Sequence, residues 1–190
     1  MNSNQVKLVL IISIFIIPFF ISFMLLDDYT EDKEWVTTNY GKLIKPVLPI
    51  NNMIVKTRSN ISNTTEFNGK WSLMYYLKND CLSSCEESIY MLRQINTALG
   101  KDMNRLQRIL IHDQNVKYPS NLKELYPGMI YVYDKPNNLH GIIDTISENQ
   151  SSIFLIDPLG NVILKYNEEF QGKKLLKDIK KLLKLSRIGY

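Results

Sequence analysis

The sequence predicts a small α/β domain with a mixed sheet, carried behind one membrane-spanning helix. Three observations lead there. The 19 residues from Leu8 to Leu26 contain no charge. From Gly69 onward, short apolar runs alternate with helical patterns. Near the C-terminus, Asp157-Pro158-Leu159-Gly160-Asn161 joins two apolar runs as a turn. That hairpin makes the sheet mixed rather than purely parallel.

The 190 residues are 45% hydrophobic and 22% charged, which fits one domain plus an extension and excludes a disordered chain. The formal net charge of +4 is unevenly placed. Residues 172–187 hold seven basic residues against Asp178, a formal +6, so the rest of the chain carries −2. A nucleic-acid binder carries its basic face through the whole fold, and this chain carries one basic end.

Leu8–Leu26 spans roughly 28 Å as a helix, close to a bilayer core. A cleaved signal peptide has a shorter apolar core of about 7–15 residues and ends in small residues. Here the run ends Met24-Leu25-Leu26-Asp27-Asp28, with no such site and no nearby cysteine for lipoprotein processing. Lys7 precedes the run and acidic residues follow it. The predicted organisation is therefore a cytoplasmic tail over 1–7, an anchor over 8–26, a linker over 27–68 and a domain over 69–190 outside the cytoplasm. Pro46, Pro49 and the Asn- and Thr-rich stretches mark 27–68 as a tether.

Within the domain, Trp71 to Leu77 reads as a buried strand. Glu86 to Leu99 places Ile89, Leu92, Ile95 and Leu99 on one helical face, with Gly100 as the closing glycine. Arg105 to Ile111 is a second strand. Asn121 to Tyr126 is a short helix, and Met129 to Tyr133 is brief and extended. Asn137 to Ile146 is a helix, and Ser152–Ile156 with Val162–Tyr166 forms the hairpin. Lys173 to Leu185 closes the chain as an amphipathic helix. Its Leu175, Leu176, Ile179, Leu182 and Leu183 face the core, and its lysines form a solvated face. The fold class is thus α/β, with a thioredoxin-like order of strands and helices.

Cys81 and Cys85 are the only cysteines, and they stand between the first strand of this domain and its first helix. A helix N-terminus beside them favours thiolate. Two thiolates four residues apart can form a disulfide or hold a soft metal such as Cu(I). As a static staple the pair closes too short a loop to constrain much chain, so the spacing points to a redox or metal site.

The segment Gly69-Lys70-Trp71 through Cys81-Leu82-Ser83-Ser84-Cys85 resembles the Sco (SenC) family. Those are membrane-anchored, thioredoxin-like proteins of copper-site assembly in cytochrome c oxidase. Ser152 to Asn161 is similar to that family's hydrophobic strand and Asp-Pro-x-Gly turn, and the likeness is greatest to a divergent bacterial, Sco-like transmembrane branch. The resemblance implies a copper cargo held by Cys81, Cys85 and one imidazole. It implies a cytochrome c oxidase subunit or another assembly factor as partner. It also implies a single-pass protein of the bacterial inner membrane with a periplasmic domain, or of the mitochondrial inner membrane in a eukaryote.

The sequence departs from that pattern. Leu82 and Glu86 follow the cysteines where the family has proline, and Asn149 stands where the family has its copper-binding histidine. The two histidines present, His112 at a strand end and His140 in a helix, are the remaining candidate ligands or proton carriers. No proline precedes Ser152–Ile156, which argues against a general thioredoxin-type oxidoreductase. Three functions follow: an assembly factor, a membrane-tethered thiol–disulfide reductase without metal, or a docking module with a static disulfide.

Overall fold

A computed structural model describes residues 2–30, 37–50, 54–57, 61–63, 69–113, 115–134, 139–148 and 150–186. The chain divides into two units, Met1–Thr38 and Asn39–Tyr190.

The first unit is helix α1, Ser3–Thr30. Ser3–Leu25 is long and apolar enough to cross a membrane, with a mean hydropathy of 2.9. Its apolar residues surround the helix instead of forming one stripe, as lipid contact on all sides requires. The Ser13 hydroxyl donates to the Val9 carbonyl at 2.8 Å, so this polar side chain inside the apolar stretch is satisfied within the helix.

The second unit is built on an eight-stranded sheet. In chain order its elements are β1 (Lys42–Pro49), β2 (Ile54–Thr57), β3 (Ile61–Asn63), β4 (Trp71–Leu77), α2 (Ser83–Ala98), a 3-10 turn (Gly100–Arg105), β5 (Leu106–Asp113), α3 (Leu122–Leu125), β6 (Met129–Asp134), α4 (Leu139–Ser147), β7 (Ser152–Ile156), β8 (Asn161–Asn167) and α5 (Gly172–Leu185). The strands lie in the order β1-β8-β7-β4-β5-β6-β2-β3. β4 is parallel to β5 and antiparallel to β7, so it runs through the middle.

β4 is a continuous apolar run because both of its faces are covered. Trp71, Leu73, Tyr75 and Leu77 pack with Ile89, Leu92 and Ile95 of α2 and with Leu175, Ile179 and Leu183 of α5. Met74 and Tyr76 point the other way, toward Phe154, Ile111 and the Leu139 and Ile143 side chains of α4. Each such fully buried aliphatic or aromatic side chain contributes roughly 1.5–3 kcal/mol. The helices therefore sandwich the sheet, as the sequence pattern predicts, and the ends of β4 become the two ends of the domain.

Two differences from the sequence reading have physical causes. The stretch 27–68, read as a linker, begins inside α1 and then supplies β1, β2 and β3. β1 pairs antiparallel with β8, more than a hundred residues away, so nothing local announces it. Its prolines, Pro46 and Pro49, are tolerated because it is an edge strand. The second difference is in the bound taken from the apolar periodicity. α2 starts not at Glu86 but at Ser83, where the cysteine reading needs a helix N-terminus, with Leu82 at the N-cap and no side-chain cap. Without a capping side chain the sequence carries no start signal. The far end of α2 follows expectation, since Gly100 adopts φ +58° just after it.

Candidate thiol–disulfide site

Cys81 and Cys85 form a disulfide with their Cα atoms 5.2 Å apart. β4 delivers the chain to this point, and the bond straddles the start of α2. Cys85 is the third residue of the helix and is 1% exposed, whereas Cys81 lies outside the helix and is half-buried. Between them Leu82 is 71% exposed. The unpaired N–H groups of the first turn and the positive end of the helix dipole stabilise a thiolate there when the bond opens.

The loop is held from the side. The Cys81 N–H donates to the Lys117 carbonyl at 2.8 Å. In return the Lys117 N–H donates to Asp80 Oδ1 at 2.8 Å. These two bonds join the loop after β4 to the loop after β5.

The structure treats the two histidines differently. His112 is on β5, in register with Leu77 of β4, and is buried. Its Nδ1 bonds the Asp113 carbonyl at 2.7 Å, and its ring meets Tyr118 edge-on at 5.0 Å. Burial is the main reason its imidazole titrates below the ordinary histidine range. The Asp113 carbonyl opposes that shift and Lys123 adds to it.

His140 lines an open cavity of about 500 Å³ beside the cysteine loop, together with Lys78, Asp80, Leu82 and Asp113. Its Nε2 lies 3.1 Å from the Tyr76 hydroxyl. That hydroxyl donates its one proton to Asp144 Oδ1 at 3.0 Å, so the bond to His140 runs from Nε2–H to the tyrosine oxygen. Lys78 Nζ completes the row, 2.6 Å from the same Asp144 oxygen. Lys78, chiefly, and Tyr76 hold the Asp144 carboxyl below its ordinary range. Burial, and then Asp144, pushes the Tyr76 phenol up.

Of the candidate ligands, Cys81 and Cys85 come together and the histidines do not join them as a metal cluster. Among the described residues no group of three or more His, Cys, Asp or Glu is arranged to hold a metal ion. Asn149 lies outside the described residues. The row Lys78–Asp144–Tyr76–His140 was missed by sequence reasoning. The spacing of His140 and Asp144, four apart on one helix face, was its only local signal.

A family model described as the transmembrane-like, thioredoxin-like, C-terminal domain matches residues 71–186. The chain belongs to this family. Its fold is also that of solved Sco structures. The solution structure of apo Sco1 from Thermus thermophilus is similar with a TM-score of 0.61 at 15% identity, covering 78% of this chain and 99% of that one. Yeast Sco1 with copper bound gives 0.59 at 19%, covering 75% and 96%. A putative thioredoxin from Neisseria meningitidis gives 0.51 at 14%, covering 74% and 93%. No curated protein sequence matches the chain. For this family member, the Sco-like and thioredoxin-like expectations hold at the level of fold.

Proposed function

We propose that this protein is a membrane-anchored, Sco-like thiol–disulfide factor that prepares the copper-site cysteines of a cytochrome c oxidase subunit. α1 is the anchor, and the domain works outside the cytoplasm. The observation that carries the reading is the asymmetric pair, a reachable Cys81 bonded to a buried Cys85 at the first turn of α2. The reducing direction starts from the dithiol form, made when an external dithiol reductant opens the Cys81–Cys85 bond. The Cys81 thiolate attacks a disulfide on the partner and displaces one partner thiolate. Cys85 then attacks Cys81 Sγ, releases the second partner thiolate and leaves the Cys81–Cys85 bond. Two electrons pass to the partner, and the thiolates released take up protons from solvent.

The experiment is complementation of a strain lacking the protein. The double variant Cys81→Ser, Cys85→Ser is expected to leave oxidase activity at the level of the deletion. Full activity in that variant would sink the proposal and leave the docking reading.

The copper-bound state of yeast Sco1 favours a second reading, Cu(I) as cargo on the reduced pair. Two soft thiolates suit Cu(I). Each histidine already uses one ring nitrogen, His140 Nε2 toward Tyr76 and His112 Nδ1 toward the Asp113 carbonyl, so a third ligand would come from the opposite nitrogen of either ring. Titrating reduced protein with Cu(I) separates the readings: one bound ion, lost in Cys81→Ser, supports the cargo role.

A further inference from the structure

The end of the sheet away from the cysteines carries a second feature. β4 begins there at Trp71 and reaches the cysteine end at Leu77, a run of roughly 20 Å. Beside its start lies a cavity of about 790 Å³. Lys70 enters its wall from the approach to β4, Lys101 and Arg105 from the 3-10 turn, and Lys180 and Lys184 from α5. The wall's one acid, Asp102, is already committed, with Oδ1 3.3 Å from an Arg105 nitrogen.

Arg105 acts as the floor. It is buried and donates to the carbonyls of Leu183 at 3.1 Å and Ser186 at 2.7 Å. Those are carbonyls at the end of α5, the negative end of its dipole, so the arginine neutralises what would repel an anion. The lysines are left to supply the field. Among the described residues, Lys70, Lys101, Lys180 and Lys184 have no ion-pair or hydrogen-bond partner. Four exposed ammonium groups from three separate stretches converge on one concavity and repel one another there. The lysines of α5 are thus only partly the solvated face the sequence suggested, since two of them turn to this wall.

We propose that this cavity binds a small molecule bearing two or more anionic oxygens, a polyphosphate or a polycarboxylate. The volume lies within the range of small-ligand pockets, about 300–1,000 Å³. The charge is concentrated in a hollow instead of being spread along a plane, which matches a compact polyanion and not a membrane surface. Ammonium groups act as point charges on such oxygens. The site is independent of the disulfide, which lies at the other end of β4.

The test is calorimetric titration of the full-length chain in a non-ionic detergent, with pyrophosphate in one arm and citrate in the other. Saturable one-site binding in either arm, weakened by added salt, is expected. The variant Lys101→Gln, Lys180→Gln, Lys184→Gln is expected to bind at least about tenfold more weakly. Its thermal midpoint and thiol exchange should match the unaltered protein, because all three side chains are exposed. If the triple variant does not fold, Lys101→Gln alone gives the same comparison. Binding by pyrophosphate alone assigns phosphoryl chemistry, and by citrate alone carboxylate chemistry. No saturable binding in either arm, or affinity unchanged by the substitutions, overturns the proposal. So does binding confined to polyglutamate or to anionic vesicles.

Discussion

The Tyr166 hydroxyl donates to Asp178 Oδ2 at 2.7 Å. The same oxygen accepts the backbone N–H groups of Tyr40 at 2.9 Å and Gly41 at 3.0 Å. Asp178 is the lone acid of the basic closing helix and is 2% exposed. One carboxylate thus fastens the start of the domain to β8 and α5.

Removing it strands three donors. Asp178→Ala is expected to lower the unfolding free energy by about 3 kcal/mol, read as a lower urea midpoint. Asp178→Asn keeps one acceptor oxygen and should lose less. Gly41→Ala should also lower the midpoint, because its Cβ would lie 2.5 Å from a Tyr166 ring carbon. Unchanged midpoints in the first and third variants would show that the clasp is unimportant.

Exposure decides which sulfur an incoming thiolate reaches. Cys81 is half-buried and Cys85 fully so. Cys85→Ser should accumulate mixed disulfides through Cys81, visible on a non-reducing gel or by mass spectrometry. Cys81→Ser should accumulate far fewer. Equal trapping would place the point of attack on both sulfurs.

His112 should make stability depend on pH. In the unfolded chain it takes up a proton near pH ~6.5, and in the fold it does so at a lower value. Between those values the unfolded state binds more protons, so stability falls as the pH falls. The loss levels off once the folded state is protonated too. Urea midpoints at about pH 7 and about pH 5 should differ less in His112→Gln than in the unaltered protein.

Tyr76→Phe removes the link between His140 and Asp144. The expected cost is about 1–2 kcal/mol, since the buried His140 nitrogen loses its oxygen partner. Asp144 also loses one of the groups that depress its pKa. A depressed carboxyl contributes stability above about pH 4, and that contribution disappears as the pH falls through its folded value. The variant should therefore show a smaller acid-side loss, measured by circular dichroism across that range.

Much of this was legible in the sequence. Trp71–Leu77 and Ser152–Ile156 announced themselves as buried strands because both sheet faces are covered. α5 showed its core stripe at Leu175, Ile179 and Leu183. The Asp157 turn was readable because its side chain serves its own loop, accepting from the Leu159 and Asn161 N–H groups. The cysteine pair was readable because its elements are consecutive. What stayed hidden was held by distant partners. β1 depends on β8, and Asp178, among seven basic neighbours, looks like a surface acid until Tyr40, Gly41 and Tyr166 converge on it. The Tyr76–His140 pairing likewise needs β4 and α4 in place.

The paired bonds between Cys81, Lys117 and Asp80 have a consequence for recognition. Both use main-chain or carboxylate atoms and neither uses a sulfur. Opening the disulfide removes neither a donor nor an acceptor of these bonds, so the reduced protein is expected to keep the same backbone contour at this corner. A partner meeting that corner would discriminate between the two states through the sulfur atoms themselves. Docking and electron transfer would then be separable steps, and a spent molecule would compete with a fresh one for the same surface.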